Sequence, residues 1–141
     1  MSKLVTYMGT VYPWQCDHVG HMNVMWYVGK FDEATWTFFH HLGVTPTYLR
    51  QANRGMAAVQ QTIQYRKELL AGDVLRVESQ LLDMRDRVIR FVHTMMNVED
   101  ETPAAICELT GVHMDTAIRK STPFPSAIRE KAAALIAAAG A

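Results

Sequence analysis

Between Val24 and Leu42 the apolar residues Val24, Tyr27, Val28, Phe31, Ala34, Thr35, Phe38, Phe39 and Leu42 recur at three- and four-residue steps. That period is helical, and the face it draws is wide. Asn23 stands where an N-cap belongs, Gly43 where a left-handed residue closes a helix, and Pro46 lies just beyond. The predicted helix is about 28 Å long at 1.5 Å per residue. Before it, residues 4–12 (LVTYMGTVY) are β-branched and aromatic and stop at Pro13, which cannot donate to a ladder. They predict a first strand.

After a polar stretch, TYLRQANRG, read as a loop, four runs have strand character: 57–69, 73–83, 87–98 and 104–115. They are separated by AGD at 71–73, RD at 85–86 and EDETP at 99–103. In the first, Val59, Ile63, Tyr65 and Leu69 alternate with Thr62, Gln64, Arg66 and Glu68. Connections this short predict an antiparallel meander, because parallel neighbours need crossovers of a dozen residues or more. Run 87–98 is apolar on both faces, Val88, Val92 and Met96 against Ile89, Phe91 and Met95, which predicts a central or covered strand. Residues 125–139 form an Ala-rich, peripheral terminal helix carrying Ile128, Leu135 and Ile136. One apolar helix followed by a sheet with nothing else to cover it is an α+β arrangement in which the sheet wraps the helix.

Composition changes this picture little. At 141 residues the chain is read as one domain, 1–141, with no internal repeat, large enough to need neither disulfide nor metal for stability. Fourteen Lys and Arg balance fourteen Asp and Glu, so no basic field draws the chain to nucleic acid or to an anionic membrane. No apolar run approaches 18 residues, the N-terminus lacks a signal-peptide pattern, and Cys16 and Cys107 form no CxxC pair. The expectation is a soluble cytoplasmic protein.

Candidate chemistry concentrates in Cys16–Asn23, CDHVGHMN. Cys16, Asp17, His18 and His21 include metal-ligand types, but no second cluster at zinc-like spacing accompanies them, so no metal is expected. Cys16 could act as a nucleophile with a nearby histidine, or serve as a small buried hydrophobe. Asp17 lies six residues before the helix, whose first amides have no intrahelical acceptor and form a positive end. A carboxylate beside free amides is half of an acyl-transfer site: the amides hold a developing oxyanion while the acid attacks a carbonyl or deprotonates water. Thioesters suit so sparse a site, since a thiolate of pKa about 8.5 leaves without much acid help. Asp17 as a local turn or cap residue is the structural alternative. Glu33 could reach a ligand beside the helix, whereas Asp32 is assigned to a solvated stripe. Arg85, Arg87 and Arg90, in DMRDRVIRF, could hold phosphates or decorate a sheet edge.

The string Asp17-x-x-Gly20-His21-x-Asn23-x-x-x-Tyr27-x-x-x-Phe31-x-Glu33-Ala34, with Tyr65-x-x-Glu68-Leu69-x-x-Gly72-Asp73, resembles the hotdog-fold acyl-CoA thioesterases of the 4-hydroxybenzoyl-CoA thioesterase-like group. The likeness runs over nearly the whole chain. It implies a sheet of about five strands around a central helix, a homodimer that often assembles into a homotetramer, and an active site at the dimer interface. It implies Asp17 as nucleophile or general base, the Val24 backbone amide as oxyanion hole, and Arg85, Arg87 and Arg90 as contacts for CoA phosphates, while the residues themselves assign Asn23 to capping the helix and His21 to bracing the turn between acid and amides. No cofactor is implied, because coenzyme A is part of the acyl-CoA substrate. A subset of the family uses a helical glutamate, which keeps Glu33 as a rival acid. Related acyl-dehydratases pair a loop histidine with a helical acid, as His21 and Glu33 could, but their Pro- and Gly-rich run is missing from MNVMWYVGKFD. A dehydratase or hydratase, or a non-catalytic acyl-CoA-binding protein on the same fold, are the alternatives. Met22, Met25, Trp26, Met56 and Val59 are expected to wall an adaptable acyl tunnel.

Overall fold

The computed structural model describes residues 3–140. Strand β1 (Leu4–Thr10) leads through a 3-10 turn at Pro13–Gln15 to helix α1 (Val24–Leu42) and a short helix α2 (Pro46–Ala52). Strands β2 (Arg54–Tyr65), β3 (Val74–Met84), β4 (Val88–Asn97) and β5 (Thr102–Asp115) follow, then a two-residue strand β6 (Lys120–Ser121) and helix α3 (Ser126–Gly140).

Helix α1 begins and ends where its local signals say. The Asn23 side chain accepts the Met25 amide, and Gly43 closes the helix in the left-handed region (φ 88°), where a side chain would be strained. Its buried face is Tyr27, Phe31, Ala34, Phe38, Phe39 and Leu42, while Val24 and Val28 remain exposed. The face is joined by Lys30, whose amphipathic character is absent from the apolar pattern. Its Nζ donates to the Tyr7 hydroxyl at 3.2 Å and lies 5.2 Å from the Tyr7 ring centre, and Gly9 leaves room for that ring.

The stretch TYLRQANRG is not a loop in its first half but belongs to α2. Thr45 caps the Tyr48 amide, Pro46 occupies the first turn where no N–H is needed, and Asn53 ends the helix with φ 55°. Polarity concealed these signals, because a short helix lying on the surface needs no continuous apolar stripe.

The sheet is antiparallel in the order β1-β3-β4-β5-β2, with β6 added to β5. The expected meander holds for β3, β4 and β5. It fails for β2, which pairs with β5 at the far edge rather than with β3. Residues 66–73 therefore cross one end of the sheet, and Leu69, expected on a strand, is fully buried in that crossover. Strand β4 is central as expected, burying Ile89, Phe91, His93, Met95 and Asn97 at alternate positions. Phe91 meets Phe38 and Phe39 of α1 at ring-centre distances of 5.3 and 5.4 Å. Each such ring contributes roughly 1.5–3 kcal/mol on burial, so this cluster is a main stabiliser of helix on sheet. Register shifts in the β1–β3, β2–β5, β3–β4 and β4–β5 pairings add twist and curl the sheet around α1. The result is the α+β hotdog architecture. Helix α3 buries Ile128 and Ala132 and is less peripheral than its composition suggests.

Candidate active site

CDHVGHMN folds as a miniature hairpin. Cys16 and Met22 form an isolated antiparallel bridge, the Asp17 amide donates to the His21 carbonyl at 3.1 Å, and Gly20 donates back to the Asp17 carbonyl at 3.0 Å. Gly20 takes φ 101°, which the turn requires and a side chain would resist. The hairpin is tied on both sides, Asn23 N–H to the Gln15 carbonyl and Met22 N–H to the Leu69 carbonyl, each at 2.8 Å.

This turn lays Asp17 beside the start of α1. Asp17 Oδ2 accepts from Asn23 Nδ2 at 2.8 Å, and Oδ1 accepts the Val19 amide at 2.9 Å. The Asn23 hydrogen bond, then that of Val19, hold the carboxyl below the usual carboxylate range, with the charges of His21 and His18 assisting. Asn23 Oδ1 in turn accepts the Met25 amide at 3.0 Å. The Val24 amide finds no acceptor among the described residues. An ionised acid and an open amide thus share one helix end.

Val24 also lines an open cavity of about 320 Å³ with His21, Met22, Tyr27, Tyr65 at the end of β2 and the crossover residues Arg66 to Glu68. Tyr27 donates to the Lys67 carbonyl at 3.3 Å and meets Tyr65 edge-on, at 5.2 Å between ring centres, which fixes one wall. The sequence offered no route to this wall, since it depends on β2 lying at the far edge. His21 is occupied in bracing: its Nδ1 is 3.3 Å from the Met22 carbonyl and its Nε2 is 3.8 Å from Glu68.

The other candidates lie elsewhere in the chain. Glu33 is exposed more than two turns along α1, and His21 and Glu33 are not brought together within one protomer. Asp32 is exposed, as the solvated-stripe reading expected, and it also stands at the edge of a second cavity of about 150 Å³ between α1 and β2, β4 and β5. Asp32, Thr35, Trp36 and Phe39 follow the i, i+3, i+4, i+7 rule, a signal that was present in the sequence. Of the expected tunnel residues, Met22 lines the first cavity and Met56 the second, whereas Met25 and Val59 are surface residues. Arg85 and Arg87 sit in the β3–β4 turn and Arg90 near the start of β4, next to Phe91, which packs on the C-terminal part of α1. Arg90 is paired with Asp83 at 3.0 Å and Glu108 at 3.4 Å, and Arg87 donates to the Ser121 carbonyl at 2.8 Å. Cys16 only approaches the Tyr12 carbonyl, at 3.9 Å, and burial pushes the Cys107 thiol up to about 12.

Comparison with known proteins agrees with this architecture. A curated relative from Agrobacterium fabrum, an L-carnitine dehydrogenase/betainyl-CoA thioesterase, is 31% identical over 112 residues, which are 79% of this chain and 23% of that protein. The chain thus spans less than a quarter of that relative. A Staphylococcus aureus protein solved in complex with CoA superposes with TM-score 0.89 at 23% identity, covering 96% of this chain and 85% of that one. A 1,4-dihydroxy-2-naphthoyl-CoA thioesterase from Synechocystis superposes with TM-score 0.81 at 16% identity, covering 92% and 95%. At such identities the superpositions speak for the fold. The sequence model of the thioesterase-like superfamily matches residues 11–132, the span that holds the hairpin, α1, the crossover and strands β2 to β5, and the chain belongs to that superfamily.

Proposed function

We propose that the protein is an acyl-CoA thioesterase, hydrolysing the thioester to free CoA and a carboxylic acid at the N-terminal end of α1. One observation carries the reading: Asp17 is held 2.8 Å from Asn23, the residue that caps the helix whose Val24 amide is open. The Val24 N–H polarises the acyl carbonyl and receives the oxyanion. The Asp17 carboxylate either removes a proton from the attacking water, or attacks the carbonyl itself to give an anhydride that water then opens. In both routes the C–S bond breaks and CoA leaves as thiolate.

Self-association completes the proposal. Strand β2 is twelve residues long, pairs only with β5 among the described residues, and exposes Val59 and Tyr65. An edge of that length is a natural pairing surface for a second copy, giving a homodimer and, through further faces, a homotetramer. Arg90 adjoins Phe91, which packs on Phe38 and Phe39 toward the C-terminal end of α1 and not toward its start, so contacts of Arg85, Arg87 and Arg90 with CoA phosphates would come from another protomer. No helix among the described residues is long and apolar enough to cross a membrane. A CoA substrate and two free thiols suit the cytoplasm.

The test follows free thiol from a panel of acyl-CoAs, betainyl-CoA included because the Agrobacterium relative is named for it. Wild type should release CoA, and Asp17→Asn should lose about 10²-fold or more. Undiminished turnover by the variant removes Asp17 from the mechanism. Saturable binding without release makes the protein a non-catalytic binder, and absorbance change on an enoyl-CoA without thiol makes it a hydratase.

A further inference from the structure

The second cavity carries its own chemical signature. Three aromatic rings form its inner corner: Trp36 and Phe39 lie 5.5 Å apart at 89°, and Phe39 and Phe91 lie 5.4 Å apart at 72°. Phe39 and Phe91 are buried, while Trp36 and Asp32 are exposed and border the cavity on its solvent side. Met56 adds a polarisable wall. Asp32 is the one charged residue in the lining, and no Lys, Arg or His faces it there. Among the described residues it forms no ion pair. The Thr35 hydroxyl is already engaged, donating to the Phe31 carbonyl at 3.0 Å and lying 2.8 Å from His93 Nε2.

We propose that this cavity receives the acyl end of the substrate and that this end is a small quaternary ammonium group. The inference rests on the acyl-CoA hydrolysis reading above and supplies its substrate class. An anionic acyl group would meet Asp32 without a compensating cation. A neutral aliphatic group would gain nothing from the exposed Asp32 carboxylate and would displace part of its water. An onium cation is attracted by aromatic faces and by a carboxylate at once, and it neither needs nor offers hydrogen bonds.

The geometry adds a condition. Trp36 is twelve residues beyond Val24, about 18 Å along the helix. A short acyl chain lodged in the cavity cannot present its carbonyl to the Asp17 of its own protomer. The acid and the Val24 amide therefore belong to a second copy of the chain, and one wall of the cavity, Met56 to Gln61, is part of the open strand β2.

Two thioesters of one shape test this: betainyl-CoA, and 3,3-dimethylbutanoyl-CoA, in which carbon replaces the charged nitrogen. Wild type should show kcat/KM about tenfold or more higher for betainyl-CoA. Asp32→Asn, a surface-accessible isosteric change, should abolish most of that preference by lowering kcat/KM far more for betainyl-CoA than for the neutral isostere, and Asp32→Glu should restore part of it. Trp36→Leu should lower the betainyl rate selectively. Equal or faster turnover of the isostere, or an equal loss on both thioesters in Asp32→Asn, overturns the proposal. Calorimetric titration of both thioesters into Asp17→Asn gives the same preference without turnover. If no acyl-CoA is hydrolysed but betainyl-CoA binds tenfold tighter, the hydrolysis reading fails and the cation site stands; if the two bind alike or neither binds, the cation site fails.

Discussion

Asn23 Nδ2 donates to Asp17 Oδ2 at 2.8 Å while Asn23 Oδ1 accepts the Met25 amide at 3.0 Å, so one side chain caps α1 and holds the acid. Helix start and carboxylate are thereby fixed relative to each other by a single planar amide. The cost of ordering the acid is shared with the cost of ordering the helix.

Removing that amide should change both properties at once. Asn23→Ala should destabilise the fold by about 1 kcal/mol through the lost cap. It should also move the acid limb of the kcat/KM profile to higher pH, because the largest influence holding the Asp17 carboxyl low is the Asn23 hydrogen bond. A pH–rate profile and urea unfolding of the same variant check the two effects. An acid limb that stays in place would mean that Asp17 is not the group it reports.

Acid should weaken the fold through His93. This ring is fully buried between Ser79 at 2.6 Å and Thr35 at 2.8 Å, and burial lowers its pKa to about 4. The unfolded chain takes up that proton near pH 6.5, so between about 6.5 and 4 the unfolded state binds more protons than the native one. Stability is full above that window and falls with pH inside it, by about 3 kcal/mol in all for this group. Burial lowers His113 also, which acts in the same direction. Urea midpoints at pH 7, 6 and 5 should fall in that order, and His93→Gln should be weaker at pH 7 but flatter with pH.

What was legible in the sequence follows the range of the interactions. Both ends of α1 were readable because Asn23 and Gly43 act on their immediate neighbours. The order β3-β4-β5 was readable because tight connections leave one way to pair. The seat of β2 was not, since nothing in 66–73 says whether the chain turns back or crosses over. Everything that crossover builds was hidden with it: the Tyr27–Tyr65 wall, the buried Leu69, and the carbonyl that anchors Met22. Asp17 was singled out as the acid, but its pairing with Asn23 needed the hairpin to bring them face to face. Lys30 stayed invisible because its partner, Tyr7, is 23 residues away.

The β2 edge should govern association. Val59 is 59% exposed on that strand, so Val59→Lys adds a charge without opening a hole in the core. Light scattering of the wild type should give a mass of at least two chains. The variant should shift toward 15.9 kDa with its circular dichroism retained. Thiol release should fall with the dimer fraction and recover as protein concentration rises.

Of the three arginines in and after the β3–β4 turn, Arg85 should matter most for CoA. Arg90 already spends its guanidinium on Asp83 and Glu108, and Arg87 spends part of its own on Ser121. The Arg85 hydrogen bond to the Val88 carbonyl is made by its backbone amide, which leaves its exposed side chain available. Arg85→Met should raise KM for an acyl-CoA several-fold with kcat nearly unchanged, the mark of binding that is the same in ground and transition states. The same variant should act normally on the matching acyl-N-acetylcysteamine thioester, which has no phosphates. Added salt should raise KM in the wild type and less so in Arg85→Met, because screening weakens only a contact that exists. A larger effect from Arg90→Met than from Arg85→Met would mean that the ion pairs of Arg90 open when CoA binds.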